Sequence, residues 1–381
     1  MRLTTPPTTV FTRMSALAQE TGAINLGQGF PDAEHAPELI AMAQRALAEH
    51  SQQYPPMRGL AELRQAVCDF YRREQGLALT PEHVVVTSGA TEALAASILA
   101  FVQPGDEVVL LQPCYDAYVP LVERAGGAVR MVSLSPPDWS IPFDALEAAI
   151  TPATRMIVAC TPNNPTSTLI PRAALERLGA LCEAHDLVLL CDEVWEAMIF
   201  TGDAHCSPLH LAGLRDRSIK VGSAGKLFSL TGWKLGWALA APPLAAMIAG
   251  QHQWLTFTSA VPLQWAVAEG LALPPEWHAS HRATYAPRRQ QLIDGLEAAG
   301  FAVLPSAGSW FVSMDLAASG LPADDEMVAE RLLREAGVAT IPLSAFYRDG
   351  ADKGYLRLCF AKQEAVLDDA VERLAGFRRG L

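Results

Sequence analysis

Lysine is scarce in this 381-residue sequence: of its 29 basic side chains only five are lysines, at positions 220, 226, 234, 353 and 362. Arginine supplies the ordinary positive charge, so the few lysines are candidates for work that a guanidinium cannot do. Runs of like charge are missing too. Forty-one acidic residues leave a net charge of −12, which argues against nucleic acid or an anionic membrane as a partner. No apolar segment of signal-peptide length follows Met1. The most apolar region, 235–250, is broken by Pro242 and Pro243 and is shorter than a membrane span. Cysteine occurs seven times, an odd number without a CxxC; that is the pattern of reduced core thiols in a cytoplasmic protein. The nine histidines form no HExxH or comparable pairing, so no metal site is expected.

What is present is a long alternation of strands and helices. The runs VVVT (84–87), EVVLLQ (107–112), VRMVS (129–133), RMIVAC (155–160), LVLLC (187–191), IKVGS (219–223) and LGWALA (235–240) read as strands. Helical patterns over 91–102, 115–126, 143–150 and 172–185 lie between several of them. Nearly continuous apolar strands of this kind belong to a sheet covered on both faces. The expectation is an α/β fold: a large domain with a mostly parallel seven-stranded sheet sandwiched by helices. After residue 280 the pattern changes. Helices over 282–299, 325–337 and 363–376 enclose the strands FAVLP (301–305), WFVSMDL (310–316) and YLRLCF (355–360), which suggests a smaller α+β domain. The expected division is 1–40 as an N-terminal arm and part of the small domain, 41–280 as the large domain and 281–381 as the small one.

Ligands of such sheets sit beyond the carboxyl ends of the strands, and four polar motifs fall there. In TSGATEA (87–93) the backbone amides of Gly89, Ala90 and Thr91 make an anion site at a helix start, or simply an ordinary strand-to-helix turn. CTPNNPTSTL (160–169) places the Asn164 amide in a turn that Pro165 shapes; a plain Asx turn is the simpler reading. LVLLCDEVWEAM (187–198) ends a buried strand with Asp192, whose carboxylate needs a cationic partner or a raised pKa; a cap or a structural ion pair would also explain it. The fourth is GSAGKLFSLTGWKLGW (222–237). Its GSAGK is not a nucleotide-binding P-loop, because Lys220 and Leu227 stand where glycine and a hydroxyl residue are needed. A lysine in small, apolar surroundings has a lowered pKa and a reactive amine, unless it merely snorkels at a sheet edge. Together the four match what pyridoxal 5'-phosphate requires: a carbonyl-reactive lysine, an acidic partner for the pyridinium nitrogen, an amide and a phosphate cradle.

The chain also resembles the fold-type I aminotransferases of class I/II, most of all the branch of kynurenine aminotransferase, glutamine transaminase and bacterial methionine aminotransferase. The likeness runs from TTVFTRMSALAQETGAINLGQGFPD (8–32) to YLRLCFAK (355–362), with SAGKLFSLTGWKLGW its most specific stretch. It implies that Lys226 attaches the cofactor and moves the Cα proton, and that Asp192 pairs with the pyridinium nitrogen. Asn164 would donate to the cofactor's phenolic oxygen. Gly89, Ala90, Thr91, Ser223 and Lys234 would hold the phosphate, and Tyr115 would stack on the ring. Tyr54 would reach the phosphate of a neighbouring subunit, so a homodimer with shared sites is implied. Arg357 would clamp the substrate carboxylate, helped by Gly29, and Phe11, Trp310 and Phe346 would line the pocket unless they are core.

Three positions depart from the pattern. Trp195 replaces the tyrosine of DEVY, and an indole can donate to the cofactor's phenolic oxygen but neither accept nor ionise. Ser167 replaces the glycine of NPTG, and Trp310 the tyrosine before Phe311. The implied reaction is ping-pong transfer of an amino group from a methionine, glutamine, aromatic or kynurenine type of amino acid to a 2-oxo acid. A cysteine-conjugate β-lyase would use the same lysine, and a non-catalytic cofactor-binding homologue is the reading from another class.

Overall fold

The computed structural model describes residues 9–32, 36–202, 205–350 and 353–381. In chain order the strands among them are β1 (Ile24–Asn25), β2 (Val84–Thr87), β3 (Glu107–Gln112), β4 (Ala128–Ser133), β5 (Thr154–Cys160), β6 (Val188–Asp192), β7 (Ser218–Ser223), β8 (Gly236–Ala240), β9 (Ala302–Val303), β10 (Phe311–Asp315), β11 (Val338–Ala339), β12 (Ile341–Pro342) and β13 (Tyr355–Cys359). The seven apolar runs of the sequence form one seven-stranded sheet in the order β2-β8-β7-β6-β5-β3-β4. β2 and β8 are buried throughout, whereas the edge strand β4 is exposed or half-buried at every position except the buried Val132. Helices Ala90–Phe101 and Pro242–Leu255 cover one face, where Leu94, Ala96, Ile248 and Ala249 meet Val108, Leu110, Ile219 and Ala238.

All strands of this sheet run one way except β8, which is antiparallel to β7 and β2. A parallel return needs a full crossover, usually through a helix that packs on the sheet. The segment 224–235 has only the four-residue helix Ala224–Leu227 and one 3₁₀ turn, so the chain comes straight back. That return carries Lys226 and Lys234. It lies at the same edge as the carboxyl ends of β2, β3, β5 and β6, and five segments therefore converge there.

A second sheet, β12-β13-β10-β9, is antiparallel, with Ser313 opposite Arg357. The N-terminal segment is stitched to the same part of the chain: β1 pairs with β11 (Ile24 opposite Val338), and the Cys359 amide donates to Leu26 O at 2.7 Å. Residues 27–29 are thus carried to the edge where the strand ends of the large sheet meet. No helix among the described residues is long and apolar enough to cross a membrane.

Candidate active site

The converging segments enclose a cavity of about 400 Å³. Gly89, Ala90 and Thr91 follow β2, Tyr115 follows β3, Asn164 follows β5, and Asp192 and Trp195 close β6. Ser223, Lys226 and Lys234 come from the β7–β8 return, Arg357 from β13, and Phe11 and Gly29 from the N-terminal segment; all of these line the wall.

Lys226 sits in the short helix that Ser223 caps, the Ser223 hydroxyl accepting from the Lys226 amide at 3.3 Å. Its Nζ donates to Gly29 O at 3.3 Å and lies 4.6 Å from the ring centroid of Trp195 and 5.3 Å from that of Trp310. Burial brings the ammonium down to about 8 from its ordinary 10.5. A neutral, nucleophilic amine is therefore accessible near physiological pH.

Asp192 is the converse case. Burial pushes its carboxyl up to about 6, against hydrogen bonds that favour the ionised form. Those bonds come from the Tyr118 hydroxyl at 2.7 Å and the Val194 amide at 3.3 Å. Tyr118 is fully buried, and its edge packs against Tyr115 with ring centroids 5.7 Å apart. Reading QPCYDAY for its first tyrosine alone overlooks this second one, three residues on and one helical turn deeper.

Arg357 is buried at the other side of the cavity. Its Nη1 donates to Asn164 Oδ1 and its Nη2 to Gly27 O, both at 2.6 Å, while Nε is buried without a partner among the described residues. The guanidinium lies 3.9 Å from the ring centroid of Phe311. Burial lowers it to about 10, and Asp116 opposes that shift. It remains a cation at any physiological pH, with Gly27, Asn164 and Phe311 fixing its plane. Phe311 had no role in the sequence reading; its signal was its place beside Trp310 on a strand paired with the one that carries Arg357.

At the remaining end, Gly89 precedes helix Ala90–Phe101 with φ +82°, a conformation that glycine adopts without penalty. Its own N–H is turned to Thr87 O at 2.8 Å. The amides available at the helix start are those of Ala90 and Thr91, which have no intrahelical acceptor. Lys234, itself at φ +50°, brings its ammonium to this turn: a Cβ added at Gly89 would stand 3.4 Å from Lys234 Nζ. A Cβ at Gly236 would come within 3.0 Å of the Ala90 nitrogen. The missing side chain at Gly89 leaves this space open, and the one at Gly236 lets β8 pack directly against the turn.

Three of the expected site residues lie off the cavity wall. Trp310 is fully buried behind Trp195, at 4.8 Å between ring centroids. Phe346 packs behind Arg357, edge-on to Phe11 at 5.1 Å. Tyr54 is 85% exposed, with Phe257 against its ring at 5.6 Å. Elsewhere, Glu193, Glu196 and His205 converge in the way a metal site would, but Lys220 already supplies the cation, its Nζ lying 2.5 Å from both carboxylates.

Comparison with known proteins gives one consistent result. Residues 21–374 match the family described as Aminotransferase class I and II. The chain is 39% identical to a probable N-succinyldiaminopimelate aminotransferase of Mycobacterium tuberculosis, over 98% of this chain and 97% of that protein. It is 38% identical to a methionine aminotransferase of Escherichia coli, over 96% and 95%. A solved methionine aminotransferase structure from Escherichia coli superposes with a TM-score of 0.95 at 37% identity, covering 99% of both chains.

Proposed function

The chain belongs to the class I and II aminotransferase family, and from that premise we propose pyridoxal 5'-phosphate as its cofactor and an amino acid with an uncharged side chain as its donor. As an aminotransferase it moves an amino group between an amino acid and a 2-oxo acid. The donors we favour are of the methionine, glutamine, aromatic or kynurenine type.

The residues present fit that cofactor. The space beside Gly89 would be filled by a Cβ, and it is bordered by two helix-start amides and the Lys234 ammonium, the donor set of a phosphate site. A lysine with a lowered pKa and a buried carboxylate share the same cavity. Bound there, the cofactor supplies the carbonyl that takes up the amino group and a ring that draws charge away from the substrate's Cα. Lys226 Nζ would anchor the cofactor and, once displaced by the substrate amine, would take the proton from Cα and deliver it to the carbon that was the cofactor's carbonyl. Asp192, fixed by Tyr118, would pair with the ring nitrogen and keep it protonated. Asn164 and Trp195 would face the phenolic oxygen, Tyr115 would stack on the ring, and Ser223 would assist at the phosphate. Arg357 binds the substrate carboxylate in two-pronged fashion, with Gly29 beside it.

One observation carries the substrate assignment: Arg357 is the only guanidinium on the cavity wall among the described residues. Arg13 is committed to Glu326, and Arg58 donates to Glu82 O. With one carboxylate site and walls of Phe11, Phe311, Leu94 and Val194, the cavity suits a donor that carries no second anion. Incubating the loaded enzyme with single amino acids and no oxo-acid acceptor tests this by loss of the lysine-linked cofactor's visible absorbance. Methionine, glutamine or aromatic amino acids are expected to react fastest, and aspartate reacting best would overturn the assignment.

The working unit we propose is a homodimer. Tyr54, Trp254, Leu255 and Phe257 are exposed, and Tyr54 and Phe257 are in direct contact; a second copy covering them would bring Tyr54 to the neighbouring cavity. The two-part division of the chain is supported by the pairing of β1 with β11. A cytoplasmic location suits seven cysteines that form no disulfide.

A further inference from the structure

The three positions at which the sequence departs from its family pattern are far apart in the chain but meet in space. Ser167 Oγ contacts Ser309 Oγ at 2.7 Å and donates to Phe311 O at 2.8 Å. Trp310, between those two residues, meets Trp195 edge to face. Trp195 comes from the end of β6 in the large sheet, and Trp310 from the approach to β10 in the second sheet. Ser167 and Ser309 both stand in the left-handed region, at φ +62° and +63°. A glycine would rest there more easily, but it would forgo the hydroxyl contacts that tie the two segments together.

The other buried lysines show what is unusual about Lys226. Lys220 has two carboxylates at 2.5 Å, and Lys362 has Asp32 at 2.6 Å. Lys226 has no carboxylate within ion-pair distance among the described residues; its contacts are one long bond to Gly29 O and two indole faces. The Trp310 N–H is buried without a partner among the described residues, so the ring face is what that residue contributes. Indole faces attract an ammonium and exclude water, but unlike a carboxylate they do not hold its proton in place.

We propose that Trp195 and Trp310 form a paired indole seat for the Lys226 amine, drawn from both sheets and fastened by the Ser167–Ser309 contact. The seat gives the amine a dry resting place during the interval in which the substrate has displaced it. A carboxylate partner there would keep it protonated and idle. The inference rests on Lys226 being the lysine that attaches the cofactor. The other charged or titratable groups facing the amine are Asp192 from β6, Arg357 and Cys359 from β13, and Lys234 from the β7–β8 return. Burial keeps the Cys359 thiol neutral.

The test is the basicity of Lys226 in the full-length, cofactor-free chain. Reductive methylation with formaldehyde over a pH series, read by peptide mass spectrometry with Lys353 as internal reference, gives a midpoint that does not depend on how easily the reagent enters. Trp195→Phe and Trp310→Phe each admit water, and each is expected to raise the midpoint by about one pH unit. The double variant should add little, because either change opens the same seat. Ser167→Gly, which suits the backbone at that position, should move the midpoint the same way. Should the tryptophan variants fail to fold, Ser167→Gly decides alone. An unmoved or lowered midpoint overturns the seat. Borohydride reduction of the loaded wild type, followed by peptide mapping, tests the underlying reading separately. Cofactor attached elsewhere would overturn the site assignment, whereas cofactor on Lys226 with unmoved midpoints overturns the seat alone.

Discussion

Arg357 and Asn164 are joined directly, Nη1 to Oδ1 at 2.6 Å, so the group proposed for the substrate carboxylate and the amide proposed for the cofactor form one unit. With Gly27 O on Nη2, the guanidinium is oriented before any substrate arrives. A lysine cannot reproduce that planar fork. Arg357→Lys is expected to lower kcat/KM about 10²- to 10³-fold, mostly through KM, as measured by steady-state kinetics.

Removing the amine should end the reaction and leave the fold intact. Lys226→Ala is expected to abolish the visible absorbance of the lysine-linked cofactor and to reduce transamination by about 10⁴-fold or more. A variant that kept both would refute the assigned role of Lys226.

Asp192 links activity to stability with a definite sign. Its native carboxyl titrates near 6 and its unfolded one near 3.8, so between those values the native chain holds more protons. Stability of the cofactor-free protein therefore falls as pH rises from about 4 to 6. Asp192→Asn removes that slope. It should be more stable than wild type above pH 6, by roughly 2–3 kcal/mol, with no difference near pH 4. Denaturant titrations across that range check this, and the same variant should lose most of its activity. Tyr118→Phe removes a bond that favours the carboxylate, so the falling limb should extend to higher pH.

A shared site can be tested by mixing defective subunits. Lys226→Ala and Tyr54→Ala chains, unfolded together and refolded, should recover activity that neither shows alone, because the mixed dimer holds one site with both residues intact. No recovery would place Tyr54 outside the neighbouring site.

The large sheet was legible because each of its strands is a short apolar run closed by turn residues, and β3 and β5 were located to within a residue. The reversal of β8 was not, since apolar runs carry no direction; only the helix-poor 224–235 hints at it. Two-residue strands such as β1 and β11 have too few positions to show a period, so the expected attachment of the N-terminal segment to the small domain carried no register, and the pairing of Ile24 with Val338 came from the structure. At the site, residues that follow strands could be named from sequence. Those acting from behind, Tyr118 on Asp192 and Phe311 under Arg357, depend on packing between distant segments. The scarcity of lysine was informative beyond the two chosen: Lys220 and Lys362 are fully or almost fully buried against carboxylates.

The segment from Gly27 to Asp32 has a further consequence for protein engineering. Gly27 O takes the Arg357 guanidinium, Gly29 O takes the Lys226 amine, and Lys362 ties Phe30 O and Asp32 to the end of β13. One six-residue stretch of backbone thus sets the spacing between the Arg357 guanidinium and the Lys226 amine. Substitutions around it offer a way to retune which substrates fit, leaving the seven-stranded sheet and the turn at Gly89 untouched.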